Sequence, residues 1–264
     1  MRILFIGDIF GSQGRLAIKK ELIGLKQKHK IDFIIANAEN TTHGRGLSLL
    51  HYKELVKYGI DFFTFGNHTW NNEDIKFILD NKNTVRPMNV NKNSIYSSWG
   101  VGSRIVKVGD KSIRITNLIG KSITMHKIET DSPFIKFTEF LEHCEPTDYH
   151  IVDFHAEATA EKKAFFLTFV GQVNAILGTH THVQTNDAII VNGTAFITDA
   201  GMTGATNGVI GADPDTILDM YNGRAERFIL SPAKGKYQFN AVVVELDDKN
   251  NETKKITPIN ILEP

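Results

Sequence analysis

Hydrophobic and polar positions alternate along the first third of the chain in a β-loop-α rhythm. RILFIG is a short apolar run that breaks at the turn residues Gly7, Asp8 and Gly11. A helical pattern follows, with Leu16, Ile18, Leu22, Ile23 and Leu25 set among lysines. The run FIIAN at Phe33–Asn37 predicts a second strand leading into a polar, glycine-bearing loop. A helix near Leu47–Tyr58, the run DFFTFG and a helix near Asn72–Leu79 continue the series. The repeat has the length of a βαβ unit, so parallel or mixed sheet is expected.

The middle changes character. Arg104–Val108 and Ile113–Leu118 flank VGDKS, a hairpin signal. A helix is expected over Pro133–His143, a buried strand over His150–Phe154, a helix near Ala158–Val170 and a strand at Ala175–Leu177. Ala188–Val191 and Ala195–Thr198 flank Asn192-Gly193, a strong short hairpin signal. Phe239–Leu246 alternates as a late strand, and the Lys/Asp/Asn cluster after it reads as a turn. With no repeat, low-complexity segment or linker, the expectation is one α/β domain over residues 1–264.

Composition adds exclusions. Formal net charge is zero, so no global basic field attracts nucleic acid, and any attraction to phosphate must be local. Cys144 is the only cysteine, which removes intramolecular disulfides and thiolate zinc sites and fits a reducing, cytoplasmic setting. The opening apolar run ends at Asp8, too short for a signal-peptide core, and no stretch reaches membrane length.

The chemistry collects at strand ends. Asp8 follows the first strand, Glu39-Asn40 the second and Asn67-His68 the third. His155 ends a later strand and Thr179-His180-Thr181-His182 follows another. Ligands in open α/β folds sit beyond the carboxyl ends of strands. Taken singly, each residue has a plainer reading: Asp8 as a cap or turn residue, Glu39-Asn40 as a loop pair, Asn67 as a turn, His155 as a core histidine. The His180/His182 pair is different, because in an extended segment alternate residues face one side. Together, Asp8, Glu39, Asn40, Asn67, His155, His180 and His182 form an oxygen and nitrogen donor set suited to iron, manganese or zinc. Seven donors exceed the need of one open site and serve two ions if a carboxylate bridges, for which Glu39 is the candidate.

These residues resemble a known family. Gly7-Asp8, the GNH of Gly66–His68 and the GTHTH of Gly178–His182 are similar to the motifs of calcineurin-like metallophosphoesterases. GDIFG, NAEN at Asn37–Asn40, DFHAE at Asp153–Glu157, GTHTHVQT and ITDAGMTG at Ile197–Gly204 resemble, more narrowly, the YmdB-like bacterial branch of 2′,3′-cyclic-nucleotide 2′-phosphodiesterases. One departure from the superfamily pattern is that the third position of its Asp-x-His motif is Phe10 here. The resemblance gives the missing ligand's role to Asn40.

What the resemblance implies is specific. The fold would be a four-layer α-β-β-α sandwich of two mixed sheets. One ion would take Asp8, Glu39, Asn40 and His182, the other Glu39, Asn67, His155 and His180, with iron first and manganese or zinc as alternatives. His68 would be the proton donor. Two such ions acidify a shared water and clamp the phosphoryl oxygens, and 2′,3′-cyclic nucleotides would yield 3′-nucleotides. The alternatives are a metal-dependent phosphatase or nuclease on another phosphate ester, or a regulatory or RNA-binding protein with secondary activity. Thr41–Gly46, with Arg45, reads either as a phosphate or ribose contact or as a flexible surface loop, and Gly201–Gly211 either as a segment that closes over substrate or as an oligomer contact. The substrate-binding residues, a homo-oligomer and RNA as a partner stay open.

Overall fold

A computed structural model describes residues 1–123, 125, 128–227 and 230–264. Its first sheet contains β1 (Arg2–Ile6), β2 (Asp8–Ile9), β3 (Phe33–Asn37), β4 (Phe62–Thr64), β11 (Met202–Ala205), β12 (Tyr237–Leu246) and β13 (Thr253–Leu262). The order is β2-β11-β12-β1-β3-β4, with β13 paired to β12. The second sheet contains β5 (Ser103–Val108), β6 (Lys111–Ile119), β7 (Tyr149–His155), β8 (Ala175–Thr179), β9 (Ile189–Val191) and β10 (Thr194–Ile197), in the order β5-β6-β7-β8-β10-β9. Both sheets mix parallel and antiparallel pairs.

The two-residue period of the strands builds three cores. In β1, Ile3 and Phe5 point into the layer between the sheets, where they meet Ile113, Ile151 and Leu177 of the second sheet. Leu4 and Ile6 point the other way, onto α1 (Gly11–His29) and α2 (Leu49–Tyr58) through Ile18, Leu22 and Leu55. On the far side, Val152 and Phe154 of β7 pack on Phe137 of α4 (Pro133–His143) and on Phe165, Phe166 and Phe169 of α5 (Thr159–Phe169). The result is the expected α-β-β-α sandwich. A strand covered on both faces reads as a continuous apolar run, as RILFI and FIIAN do.

Five elements depart from the sequence reading, two of them the short strands β2 and β11, which pair in parallel where a turn at Asp8 and a loop at Gly201–Gly211 were expected. The third helix is only α3 (Ile75–Leu79), because Thr69–Asn71 forms a separate 3-10 turn before it. β13 was not anticipated: TKKITPINIL carries Pro258 and polar residues, which an edge strand tolerates. The short helix α6 (Pro214–Tyr221) was also missed, although Asp213 caps it (Oδ1 accepts from the Asp215 N–H, 3.0 Å) and Pro214 opens it. Among the described residues, no helix is long and apolar enough to cross a membrane.

His150, at the start of β7, carries a pH dependence. It is buried, hydrogen-bonded to Thr116 Oγ1 (2.8 Å) and edge-on to Phe137. Burial and the nearby Arg114 hold its imidazole down at about 3, from 6.5. The unfolded chain therefore binds a proton that the folded chain refuses, and stability should fall as pH drops below about 6.5. His150→Gln should flatten the stability-pH slope between pH 6 and 5 by up to about 1.4 kcal/mol per pH unit. Urea unfolding of both proteins at the two pH values checks this, and parallel slopes would refute it.

Candidate metal centre

Parallel strands from both sheets end at one place. β1, β3 and β4 of the first sheet and β7 and β8 of the second deliver Asp8, Glu39-Asn40, Asn67-His68, His155 and His180–His182 to a common cleft. Asp8, Glu39, Asn40, His155 and His182 are buried, and His180 sits closer to the surface. All seven donors expected from the sequence are brought together.

They fall into two neighbouring groups. In the first, His155 Nε2 lies 2.9 Å from Asn67 Oδ1, 3.2 Å from Glu39 Oε1 and 3.0 Å from His180 Nδ1. Glu39, His155 and His180 place their donor atoms within 4.8 Å of one another. In the second, His182 Nε2 lies 4.0 Å from Asp8 Oδ1, and the Asn40 amide donates to both His182 Nε2 (3.2 Å) and Glu39 Oε1 (3.0 Å). Glu39 belongs to both groups. Asn40 presents its amide nitrogen to these acceptors; turning the amide over offers its oxygen to a cation.

Protonation follows from the partners. The Ile210 carbonyl accepts from His182 Nδ1 (2.8 Å), so Nε2 keeps its lone pair facing Asp8. Burial, then the charge of His155, pushes His180 down to about 3, and its neutral ring donates from Nε2 to Glu157 (3.0 Å). Burial would lower His155 as well, but the charge and hydrogen bond of Glu39 raise it to about 9. Burial works against the Glu39 carboxylate, yet His155 holds its pKa well below the usual range. Asp8 is raised by burial in spite of His182 and His155. The proton on His155 Nε2 thus sits among Glu39, Asn67 and His180.

The donor set fits a metal cation. Asp8 Oδ1 is buried with no hydrogen-bond partner among the described residues, a costly arrangement for a carboxylate oxygen without a cation. The donors are all nitrogen or oxygen, the mixture that iron, manganese and zinc accept. Gly66 is obligatory here, because a Cβ at that position would overlap the His155 ring.

One expectation is corrected. His180 and His182 do not lie in an extended segment: β8 ends at Thr179, and the two histidines adopt left-handed backbone, with φ of 104° and 65°. Both rings reach the site through this bend, not through strand alternation. Such backbone is strained for residues with a Cβ and persists only where the surroundings enforce it.

The enforcing residues were missed in the sequence. Lys162 of α5 is fully buried and donates to the Thr179 carbonyl and to Asp199 Oδ2, both at 2.8 Å. Asp199 also accepts the N–H groups of Thr181 (3.0 Å) and Gly201 (2.8 Å). A second chain orients His155: Asn37 donates to Asp153 (3.0 Å), the Thr179 hydroxyl donates to Asp153 (2.7 Å), and His155 Nδ1 lies 2.9 Å from that hydroxyl. Burial raises Asp153 to about 7. A signal for Lys162 existed, since it occupies the apolar stripe of α5 with Phe165, Phe166 and Phe169.

His68 lies at the rim. Its N–H donates to Glu39 Oε2 (2.8 Å), and Nδ1 lies 2.9 Å from Asn71 Oδ1. It lines, with Glu39, Asn40, His180 and His182, a cavity of about 280 Å³. Arg45 and Ile210, from the two loops left open in the sequence, line the same cavity.

Known proteins resemble this chain over its whole length. The family described as YmdB-like protein matches residues 4–259. A Bacillus subtilis protein named 2′,3′-cyclic-nucleotide 2′-phosphodiesterase is 42% identical over 98% of this chain and 96% of its own length. A Mycoplasma pneumoniae crystal structure described as a novel phosphatase superposes with a TM-score of 0.96 at 40% identity, covering 99% of this chain and 93% of that one. A 5′-nucleotidase precursor from Thermus thermophilus shares the fold alone (TM-score 0.55, 12% identity, 99% of this chain and 54% of that one).

Two outcomes are expected. Adding Mn²⁺ to metal-free protein in weak buffer at pH 7–8 should release about one proton per chain, because the His155 proton must leave before that nitrogen can ligate. A pH-stat trace without release would mean that His155 is already neutral. Lys162→Met should cost about 3–5 kcal/mol by stranding Asp199 and weaken metal binding by roughly 10–100-fold. Leu22→Ala, a core truncation in α1 of about 2–5 kcal/mol, should leave metal affinity intact. Equal metal losses in both variants would reduce Lys162 to general stability.

Proposed function

The chain belongs to the YmdB-like family, and from that premise we propose that it hydrolyses 2′,3′-cyclic nucleotides at the 2′ oxygen, releasing 3′-nucleotides. The observation that carries this reading is the pair of donor groups sharing Glu39, with His68 beside them on one cavity wall. The name of the Bacillus subtilis relative supports the substrate class. Two ions, iron first and manganese or zinc as alternatives, would be held by Asp8, Glu39, Asn40 and His182 and by Glu39, Asn67, His155 and His180. When bound they supply an acidified water and a clamp for the phosphoryl oxygens.

The chain's own residues do the rest. Glu39 fixes the backbone of His68 through the 2.8 Å bond to its N–H. Asn71 Oδ1 accepts from Nδ1 of His68, so Nε2 is the nitrogen left to protonate the departing 2′ alkoxide, and it does so from the imidazolium form. Lys162 and Asp199 hold the His180–His182 bend in place. The single, unpaired Cys144 supports a reducing compartment, and we assign the enzyme to the cytoplasm. The second reading, a phosphomonoesterase, draws support from the description of the Mycoplasma pneumoniae structure as a phosphatase.

Chromatography of the products separates these readings: a 3′-nucleotide from the cyclic ester supports the proposal, and release of only a 2′-nucleotide overturns the bond assignment. In the same assay, His68→Ala should keep its metals and lose rate by roughly 10²–10⁴-fold. The deficit should shrink for a nitrophenyl ester, whose leaving group departs without a proton. Equal losses on both esters would remove His68 from the proton-donor role.

A further inference from the structure

The cavity beside the donor cluster has a second, apolar patch. Phe10, Ala212, Ile217 and Leu230 line it, and they belong to a small core that is separate from the three cores of the sandwich. This core is made by the segment around α6, which contributes nothing to either large sheet beyond β11. The apolar and polar patches meet where the Phe10 ring stands edge-on to the His182 ring, with centroids 5.5 Å apart. The Ile210 carbonyl bond to His182 Nδ1 ties the segment to the cluster (2.8 Å). The position of the apolar patch is therefore fixed relative to the histidines.

Ile210 is the anomaly. Its side chain is 53% exposed at the cavity wall, and its backbone has a φ of 47°. A β-branched residue is poorly suited to this left-handed region, and a glycine there would relieve the strain. An exposed isoleucine held in strained backbone beside a cluster of ligating side chains points to a ligand contact. The cavity volume of about 280 Å³ lies at the low end of ligand sites, about 300–1,000 Å³. That size suits a mononucleotide and not an extended chain.

We infer that Ile210, Ile217 and Leu230 form a subsite for the nucleobase of a mononucleotide substrate, while its phosphodiester lies against the histidine cluster. The inference rests on the phosphodiesterase reading and adds to it the part of the substrate that the α6 segment recognises. A nucleobase offers two flat apolar faces, and branched aliphatic side chains cover such a face without competing for its polar edge. Arg45, on the wall of the same cavity, is placed to meet a polar group of the same ligand.

The test compares metal-loaded wild type with Ile210→Gly. This change removes the side chain, keeps the carbonyl that accepts from His182, and suits the left-handed backbone. The substrates are adenosine 2′,3′-cyclic phosphate and the 1-O-methylriboside 2′,3′-cyclic phosphate, which lacks the base but undergoes the same reaction. Wild type should favour the base-bearing ester in KM by about tenfold or more, and Ile210→Gly should erase most of that preference, as expected for loss of one apolar side chain's cover. Leu230→Ala should act in the same direction. No preference in wild type, or an unchanged preference in both variants, overturns the subsite while leaving the phosphodiesterase reading intact. Hydrolysis of neither ester by metal-loaded wild type overturns that reading and the subsite with it.

Discussion

Two carboxylates, Asp8 and Glu39, are buried beside three imidazoles, and most of the local structure answers the cost of putting them there. Charged groups removed from water must be paired, hydrogen-bonded or bound to a cation. Glu39 spends one oxygen on the His68 N–H and turns the other to His155 and Asn40. Asp8 accepts the His180 N–H on one oxygen and leaves the other without a partner among the described residues. That imbalance gives the site its preference for a cation. It also demands a scaffold that holds like charges at short range, and parallel strands of two stacked sheets ending in one cleft provide it.

The scaffold's second layer is polar where a core would ordinarily be apolar. Lys162 and Asp199 form a fully buried ion pair behind the His180–His182 bend, and Asp153 is caught between Asn37 and Thr179 behind His155. A buried pair of this kind contributes little net stability compared with apolar packing. Its effect is geometric: Asp199 accepts the Thr181 N–H while Lys162 holds the Thr179 carbonyl, so the chain enters and leaves the bend at fixed points. The left-handed backbone at His180 and His182 is the strain that these bonds balance.

Much of the fold was legible because strands covered on both faces must be apolar throughout, and RILFI, FIIAN and the run ending at His155 announce themselves. The gathering of the seven candidate residues in one cleft was legible because each follows such a run. The bend at His180–His182 was not, since an HxH pair serves one site either by strand alternation or by a left-handed turn, and the residues are the same. Lys162 was hidden for a related reason. Adjacent lysines at 162 and 163 read as a solvated helix face, and only the phenylalanines at matching helical positions place Lys162 inward. β13 and α6 escaped because an edge strand and a short surface helix carry weak periodicity.

Phe10 joins the two halves of the site. The Asp-x-His motif of the resembled superfamily has an imidazole at this position; here Phe10 occupies it, and Asn40 stands next to Glu39 and faces His182. Phe10 is buried against Met202, Ala212 and Ile217, so an aromatic ring at this strand end becomes the floor on which the α6 segment packs. A histidine there would bring a polar ring into that small core and require a partner for it. Phe10 thus gives the segment its anchor, and the segment returns the Ile210 carbonyl that fixes the tautomer of His182. The apolar wall of the cavity and the setting of the His182 ring meet at this one residue.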